Sequence, residues 1–170
     1  MNRENENQTI KKLVMWILII VWMICIFLFS SQNADESSEL SQGFLRSFVL
    51  KFLPDNISRN QNTVDFLEHL LRKCAHMTEY TILGVFISVQ IRLYKTFRRE
   101  WQKVLAAVLF VMLYASTDEF HQLFVGGRSA QVTDVMIDTC GGLIGAGLTA
   151  VIVAILHGRN KCREGKGGLL

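Results

Sequence analysis

The sequence predicts an all-α membrane protein, a bundle of four transmembrane helices with an amphipathic helix in the first external loop. Half of the 170 residues are hydrophobic, and the mean hydropathy of +0.27 is high for a soluble domain. Apolar segments recur along the chain, and about 20 helical residues are enough to cross about 30 Å of hydrocarbon. The net charge is a modest +3, and the basic residues flank the apolar segments, which indicates membrane topology and not nucleic-acid binding.

Four spans are predicted, at residues 13–31, 72–91, 104–124 and 132–157. The first and the last are long enough on their apolar residues alone. The apolar part of the second, residues 80–91, would cover only about 18 Å, so this span has to begin near Arg72. The third is also short without its polar end, because residues 104–117 cover about 21 Å. Both of these spans therefore carry ionisable side chains below the membrane surface.

Most of the basic residues occur on one side of the predicted spans. They precede the first span, separate the second from the third and follow the fourth, at Lys11, Lys12, Arg92, Lys95, Arg98, Arg99, Lys103, Arg159, Lys161, Arg163 and Lys166. The positive-inside rule places these segments in the cytoplasm, with residues 1–12 and 158–170 as cytoplasmic tails. The loop 32–71 and the loop around Arg128 then face outward, so every polar cluster lies at the external end of its helix.

The first external loop contains an amphipathic pattern. Large apolar side chains recur every four residues between Leu40 and Phe52, and Pro54 ends the pattern. Such a helix either lies on the outer membrane surface or covers the top of the bundle. A further helix that begins near Asn62 is predicted to lead into the second span.

Three of the predicted spans carry polar stripes at their external ends. The second has ionisable side chains at i, i+4 and i+7 with a tyrosine at the edge of the stripe: Arg72, His76, Glu79 and Tyr80. The third presents a polar face one turn beyond a tyrosine: Tyr114, Asp118, His121 and Gln122. Glu119 points away from that face by about 100 degrees. The fourth combines two carboxylates with two glycines that let another helix approach closely: Asp134, Asp138, Gly141 and Gly145.

The three polar faces are expected to meet at one end of the bundle and to form the functional site. An ionisable group inside a bilayer costs roughly 2.5–3.5 kcal/mol on insertion scales, so such groups usually face the protein interior and mark a site. The candidate ligand-binding residues are Arg72, Lys73, Tyr80, Gln122, Arg128 and Asp134. The candidate catalytic residues, if the protein is an enzyme, are His76, Glu79, Asp118, His121 and Asp138.

The residue types of this site allow two kinds of chemistry. Two histidines among carboxylates are suitable ligands for zinc or another divalent metal, although no HExxH motif is present. Without a metal, His76 or His121 is a candidate proton carrier that a carboxylate orients. The sequence specifies no cofactor, and neither disulfide nor zinc-type spacing links the cysteines, which are Cys25, Cys74, Cys140 and Cys162.

The same residues also permit a purely architectural interpretation. Basic side chains and histidines would then neutralise the buried carboxylates and fix the register of the helices. Asp138 is the deepest carboxylate, and to stay charged it would need a cationic partner at matching depth. The candidates for that partner are His76, His121 and Arg72.

Several short motifs follow one another over most of the chain: Phe29-Ser30-Ser31-Gln32, Arg72-Lys73-x-Ala75-His76-x-x-Glu79-Tyr80, Tyr114-Ala115-x-x-Asp118-Glu119-x-His121-Gln122, Gly127-Arg128 and Asp134-Val135-x-x-Asp138-x-x-Gly141. In this order they resemble the VanZ-like family of bacterial membrane proteins, which is named for a protein linked to teicoplanin resistance. The chain departs from the family at Gly126, where proline commonly precedes Gly-Arg, and this change is expected to loosen the loop that presents Arg128. The resemblance implies a multi-pass protein of the bacterial cell membrane with a link to glycopeptide susceptibility.

Three functional interpretations are open, of which we favour the first. In the first, the outward-facing site binds an anionic lipid headgroup or a lipid-linked cell-envelope intermediate, and Arg72, Lys73 and Arg128 contact its phosphate. In the second, the protein is a membrane enzyme that applies histidine and carboxylate acid–base chemistry, or a metal, to an envelope lipid. In the third, it is a small proton-coupled transporter with Asp138 and His76 in the proton path, although four short spans lack a paired repeat.

Overall fold

The computed structural model describes residues 3–32, 43–44, 47, 60–94, 96–125 and 131–167, with the side chains of the last segment up to Arg159. Four long helices make up most of these ranges, and we number them α1 (Arg3–Ser30), α2 (Gln61–Tyr94), α3 (Glu100–Gln122) and α4 (Val132–Gly167). The described ranges contain no strand. The prediction of an all-helical fold is confirmed for this part of the chain.

Helix α1 contains the apolar segment that was predicted as the first span. The helix begins at Arg3, well before the apolar residues, and Glu4 and Glu6 lie in its first turn, where carboxylates interact favourably with the helix dipole. Two hydrogen bonds to α2 show that the two helices run antiparallel. Gln90 Nε2 donates to the carbonyl oxygen of Lys12 at 3.2 Å, and Trp22 Nε1 donates to the carbonyl oxygen of Glu79 at 3.0 Å.

Helix α2 occupies the centre of the bundle, because it packs against each of the other three helices. It starts at Gln61, which confirms the helix predicted to begin near Asn62. Its 34 residues give it a length of about 51 Å, more than the thickness of the hydrocarbon core. One continuous helix therefore joins the end of the first loop to the second predicted span.

Three of the described helices are long and apolar enough to cross a membrane: α1, α3 and residues Val132–Arg159 of α4. Helix α2 is not among them, so hydropathy alone supports three of the four predicted spans. The reason is the polar segment from Arg72 to Glu79, which the second span needs for its length and which lowers its mean hydropathy. Whether α2 crosses the membrane therefore depends on what covers its charged face.

The bundle has an apolar exterior and a partly polar interior, the reverse of a soluble protein. Large hydrophobic side chains such as Leu13, Leu113 and Leu156 are 59%, 65% and 53% exposed. Polar side chains are buried in the interior, among them Ser30, Glu68, Ser88, Gln90, Asp118, Glu119, Gln122 and Asp138. An exposed apolar surface around buried polar groups fits a lipid environment, where hydrocarbon surrounds the helices. The protein is therefore a membrane protein.

Helices α2 and α4 pack against each other at backbone distance. A Cβ atom on Gly141 would overlap the carbonyl oxygen of Met77, and a Cβ atom on Gly145 would overlap the carbonyl oxygen of Thr81. The two carbonyl groups lie one turn apart on α2, just as the two glycines lie one turn apart on α4. The prediction that these glycines allow close helix packing is confirmed.

Two predicted features lie outside the described residues. One is the amphipathic helix between Leu40 and Phe52, of which residues 43, 44 and 47 alone are described. The other is Arg128, which belongs to the segment 126–130 between α3 and α4. Both stay predictions from the sequence.

Candidate functional site

The polar stripes of α2, α3 and α4 converge at one end of the bundle, which we call the polar end. It consists of residues 30–31 at the end of α1, 68–80 of α2, 118–122 of α3 and 131–138 at the start of α4. All the sequence-predicted site residues within the described ranges lie here, namely Arg72, Lys73, His76, Glu79, Tyr80, Asp118, His121, Gln122, Asp134 and Asp138.

Two ion pairs form the rim of the polar end. Arg72 Nη2 donates to Glu68 Oε1 at 3.2 Å, one turn earlier on the same helix. Lys73 Nζ lies 2.5 Å from Asp134 Oδ1, and this pair joins α2 to the start of α4. The side chains of Lys73 and Asp134 are 26% and 29% exposed, so a charged ligand can reach them. Glu68 was not predicted as a site residue, although its i, i+4 spacing to Arg72 is the signal that would have found it.

His76 and Glu79 lie deeper on α2 than the rim. His76 Nδ1 is 3.6 Å from Glu79 Oε2, close enough for an ion pair when the imidazole is protonated. Both side chains are about one-fifth exposed, at 20% and 21%. The carbonyl oxygen of Glu79 accepts the hydrogen bond from Trp22, which fixes this turn of α2 against α1. The structure thus places an imidazole and a carboxylate side by side within reach of a ligand.

Asp118 belongs to a short hydrogen-bonded chain between α3 and α1. Gln122 Nε2 donates to Ser30 Oγ at 2.8 Å and lies 3.4 Å from Asp118 Oδ2. All three side chains are buried, and Ser30 is completely inaccessible. The chain of contacts positions the Asp118 carboxylate and attaches the end of α1 to α3. Gln122 therefore has a positioning role in this arrangement.

His121 contacts the residues at the end of α1. Its Nε2 atom is 3.2 Å from Ser31 Oγ, and its ring packs on Phe27 with the ring centroids 4.4 Å apart. The Ser31 hydroxyl also donates to the carbonyl oxygen of Phe27 at 2.6 Å. A hydroxyl has a single proton, so Ser31 Oγ is left to accept a hydrogen bond from a protonated Nε2 of His121. His121 acts as a donor in this arrangement.

The deepest polar group of the site consists of Asp118, Asp138 and Tyr80. Their side chains are almost inaccessible, with exposed fractions of 3%, 5% and 0%. Tyr80 interacts with both carboxylates, yet Tyr80 Oη and Asp118 Oδ1 have no partner in hydrogen-bonding geometry. Asp138 is repelled electrostatically by four other carboxylates. The strongest of these interactions is with Asp118, and weaker ones follow with Glu119, Asp134 and Glu79.

None of the three candidate cations forms an ion pair with Asp138 in the structure. Among the described residues Asp138 forms neither a hydrogen bond nor an ion pair. The expected partners contact other groups: Arg72 is bonded to Glu68, His76 to Glu79 and His121 to Ser31. For Arg72 and His76 the reason is local. Each has a carboxylate three or four residues away on α2, and that carboxylate is closer than Asp138 on α4.

Glu119 is a site residue whose position the sequence prediction missed. It is 6% exposed, and its Oε2 atom accepts a hydrogen bond from the backbone N–H of Gln131 at 3.0 Å. Helix α3 packs against α2 and α4 and also contacts α1, so it has buried faces in more than one direction. A side chain about 100 degrees from Asp118 therefore still points inward. The bond to Gln131 holds the start of α4 against the end of α3.

Aromatic side chains close the polar end toward the middle of the bundle. The rings of Tyr80 and Tyr114 lie 6.1 Å apart, and Tyr114 Oη donates to the carbonyl oxygen of Met23 at 2.6 Å. Beyond them the interior is apolar, with Leu83 and Val111 fully buried. The polar end is thus a site open at the rim and closed below.

No group of three His, Cys, Asp or Glu side chains that could hold a metal ion occurs among the residues the structure describes. Three of the cysteines, Cys25, Cys74 and Cys140, are free thiols.

Comparison with known proteins supports the resemblance seen in the motifs. The sequence model of the family described as VanZ/LLP1 matches residues 15–154, which include more than half of α1, all of α2 and α3 and most of α4. No curated protein and no solved structure matches the chain. The family match covers most of the sequence and every described part of the polar end. This chain therefore belongs to the VanZ-like family of membrane proteins.

Proposed function

We propose that this protein is a four-span protein of the bacterial cell membrane with both termini in the cytoplasm, and that its polar end faces outward. In this proposal the polar end binds an anionic lipid headgroup or a lipid-linked cell-envelope intermediate, and glycopeptide susceptibility changes through that ligand. The observation that carries the proposal is the partly exposed Lys73–Asp134 ion pair at the rim, with Arg72 beside it. Arg128, outside the described residues, is the third proposed phosphate contact.

Helix α2 is the fourth span in this proposal. It packs against each of the other three helices, and the charged side chains of its proposed span lie on partly buried positions and not on the exposed face of Cys74, Ala75 and Thr78. The charges are also compensated, because Arg72 is bonded to Glu68 and Lys73 to Asp134. Helix packing and ion pairing together offset the unfavourable transfer of this polar segment into the membrane.

The opposite end of the bundle supports the proposed orientation. Glu100 binds two basic side chains there, Arg92 Nη2 at 2.9 Å and Lys103 Nζ at 2.6 Å. Arg98 and Arg99 lie in the same connection, so its charge is strongly positive. An excess of lysine and arginine in a short loop is typical of the cytoplasmic side.

Cysteine labelling tests this topology. In a background without the four native cysteines, Asn60→Cys and Gly126→Cys should react with a membrane-impermeant maleimide on intact cells. Arg98→Cys should react only after the membrane is permeabilised, because the basic loop lies inside. Labelling of Arg98→Cys on intact cells would reverse the orientation and place the polar end in the cytoplasm.

The rim can exchange an internal ion pair for a phosphate. A partly exposed pair such as Lys73–Asp134 contributes only about 0–1 kcal/mol, so its opening is inexpensive. A phosphate offers several acceptor oxygens to the lysine and to a neighbouring guanidinium, and such charge-assisted hydrogen bonds are short and strong. A phosphate therefore competes with Asp134 for Lys73, and the phosphate is favoured when both Lys73 and Arg72 contact it.

Lipid binding should depend on Lys73. In phosphatidylcholine nanodiscs, phosphatidylglycerol should raise the thermal unfolding midpoint of the wild-type protein, and Lys73→Gln should remove most of that rise. Hydrogen bonds to charged groups contribute about 1.5–3 kcal/mol, so the affinity should fall roughly ten- to a hundredfold. Lys103→Gln is the matched control, because Lys103 also pairs with a carboxylate but at the opposite end. An equal loss in both variants would contradict a specific site at the rim.

Acid–base catalysis on an envelope lipid is the alternative function. The His76–Glu79 pair supports it, since an imidazole beside a carboxylate is a suitable proton carrier within reach of the rim. The chemical state of the released lipid distinguishes the two functions, because a binding protein releases its lipid unchanged and an enzyme releases a product.

A further inference from the structure

Not every buried carboxylate of the polar end has a cation as its partner. Three carboxylates near Asp138 have a partner. Glu79 lies beside His76, Asp134 lies beside Lys73, and Glu119 accepts a hydrogen bond from the backbone N–H of Gln131. Asp118 has the Gln122 amide nitrogen 3.4 Å from its Oδ2 atom and interacts favourably with His121, whereas Asp138 forms neither a hydrogen bond nor an ion pair among the described residues and is repelled by Asp118. A buried charge without a partner is strongly unfavourable in a low dielectric. The pair is therefore suited to a positively charged ligand.

Tyr80 provides an independent observation at the same place. Its side chain is completely buried, and its hydroxyl lies against the Asp118 carboxylate without forming a hydrogen bond of good geometry. Buried tyrosine hydroxyls usually have a well-aligned partner, whereas the hydrogen-bonding contact of this one among the described residues is the poorly aligned Asp118 carboxylate. Asp118 Oδ1 is likewise buried without a hydrogen bond. Unused hydrogen-bonding capacity on two neighbouring side chains indicates a place for a ligand group.

We infer that the lipid bound at the polar end carries a primary ammonium group, which binds among Asp118, Asp138 and Tyr80 while the phosphate is held at the rim as proposed above. A primary ammonium has three N–H donors and one positive charge. The site offers three acceptors to match, namely Asp118 Oδ1, an Asp138 oxygen and Tyr80 Oη. The charge of the ammonium also compensates the excess negative charge of the two carboxylates.

The spacing of the site suits a phosphate and an amine on one headgroup. Asp134, which binds Lys73 at the rim, and Asp138 are separated by one helical turn of α4, a rise of about 6 Å. A short linker between phosphate and amine, as in an ethanolamine phospholipid, can connect positions separated by that rise. The bilayer surface supplies such a lipid directly at the level of the rim in the proposed topology.

A headgroup series on the wild-type protein tests the inference without any substitution. The probes are nanodiscs of phosphatidylcholine that contain ethanolamine phospholipid or its N-methyl and N,N-dimethyl forms. These lipids share one phosphate and one positive charge, and each added methyl group removes an N–H donor. The ethanolamine lipid should bind at least about tenfold more tightly than the choline lipid, with a stepwise loss along the series. Native mass spectrometry and the thermal midpoint both report this preference.

Two variants locate the ammonium site. Asp138→Asn and Tyr80→Phe should each lose the preference for ethanolamine over choline lipid but keep the stabilisation by phosphatidylglycerol. Tyr80→Phe retains the ring and removes a hydroxyl whose contact with Asp118 is poorly aligned, so it should fold normally. Asp65→Asn is the control, because Asp65 is exposed and accepts a hydrogen bond from Gln61 away from the buried pair. Persistence of the preference in both variants would place the ammonium elsewhere and overturn the inference.

The outcomes separate this inference from the proposed function. Equal binding of ethanolamine and choline lipids, with phosphatidylglycerol still stabilising the protein, would refute the ammonium site and leave the phosphate site. An ethanolamine preference without any phosphatidylglycerol effect would support the ammonium site and refute phosphate binding at the rim. Equal stabilisation by water-soluble phosphoethanolamine would contradict the assignment of the ligand as a lipid.

Discussion

Gly145→Ala is expected to prevent α2 and α4 from packing and to remove most of the folded protein from the membrane. The new methyl group would overlap the carbonyl oxygen of Thr81 and approach the backbone nitrogen of Val85 to 2.9 Å. Both atoms belong to a helix backbone, so no side chain can rotate away and the two helices must separate. Overpacking usually costs about 1–3 kcal/mol and occasionally more, and a backbone overlap lies at the upper end.

Gly147→Ala is the matched control for this prediction. It lies two residues further along α4, and a Cβ atom there would meet nothing within 4 Å. Alanine is a better helix former than glycine by about 1 kcal/mol, so this variant should be as stable as the wild type or slightly more stable. Size-exclusion chromatography in detergent and the thermal midpoint measure both variants. Normal folding of Gly145→Ala would show that α2 and α4 do not pack at backbone distance.

Asp138→Asn is expected to fold normally and to be more stable than the wild type in the absence of ligand. Asp138 is 5% exposed, and no cation among the described residues compensates its charge. The amide keeps the shape of the side chain and removes an electrostatic repulsion with Asp118. The substitution removes a buried charge, whose desolvation costs several kcal/mol, although the amide is still a polar group without a partner. The thermal midpoint in lipid-free detergent should therefore rise.

Glu119→Gln is the same chemical change at a carboxylate that has a partner. Glu119 accepts the backbone N–H of Gln131, so loss of its charge weakens a hydrogen bond and should lower the midpoint. The two variants should shift stability in opposite directions. If Asp138→Asn instead loses folded protein, and a second substitution that neutralises Arg72, His76 or His121 restores it, Asp138 is part of an architectural ion pair.

The positions of α1, α3 and α4 could be predicted from the sequence, because a lipid environment requires long apolar segments and these are visible without a structure. The start of α2 near Asn62 was also predictable from its cap and its apolar spacing. The helix ends were less predictable. Helix α4 continues to Gly167 and α1 starts at Arg3, since charged residues extend a helix beyond the membrane without any change in hydrophobic pattern.

The members of the polar site were largely predictable, but their partners were not. Spacing along one helix shows which side chains share a face, and it placed His76 and Asp118 correctly at the polar end. It does not show which helix lies opposite that face. The candidate cations for Asp138 contact other groups in the structure, and the burial of Glu119 on a second inward face of α3 was not foreseen.

The central position of α2 also affects how the protein is made. In the proposed four-span arrangement, α2 leaves the ribosome before α3 and α4, the helices that cover much of its charged face. A segment with Arg72, Lys73 and Glu79 partitions poorly into lipid on its own, so it is expected to wait beside the translocon until α4 is complete. Assembly of this bundle is then expected to be late, because chains truncated before Gly145 lack part of the α4 surface that packs against α2.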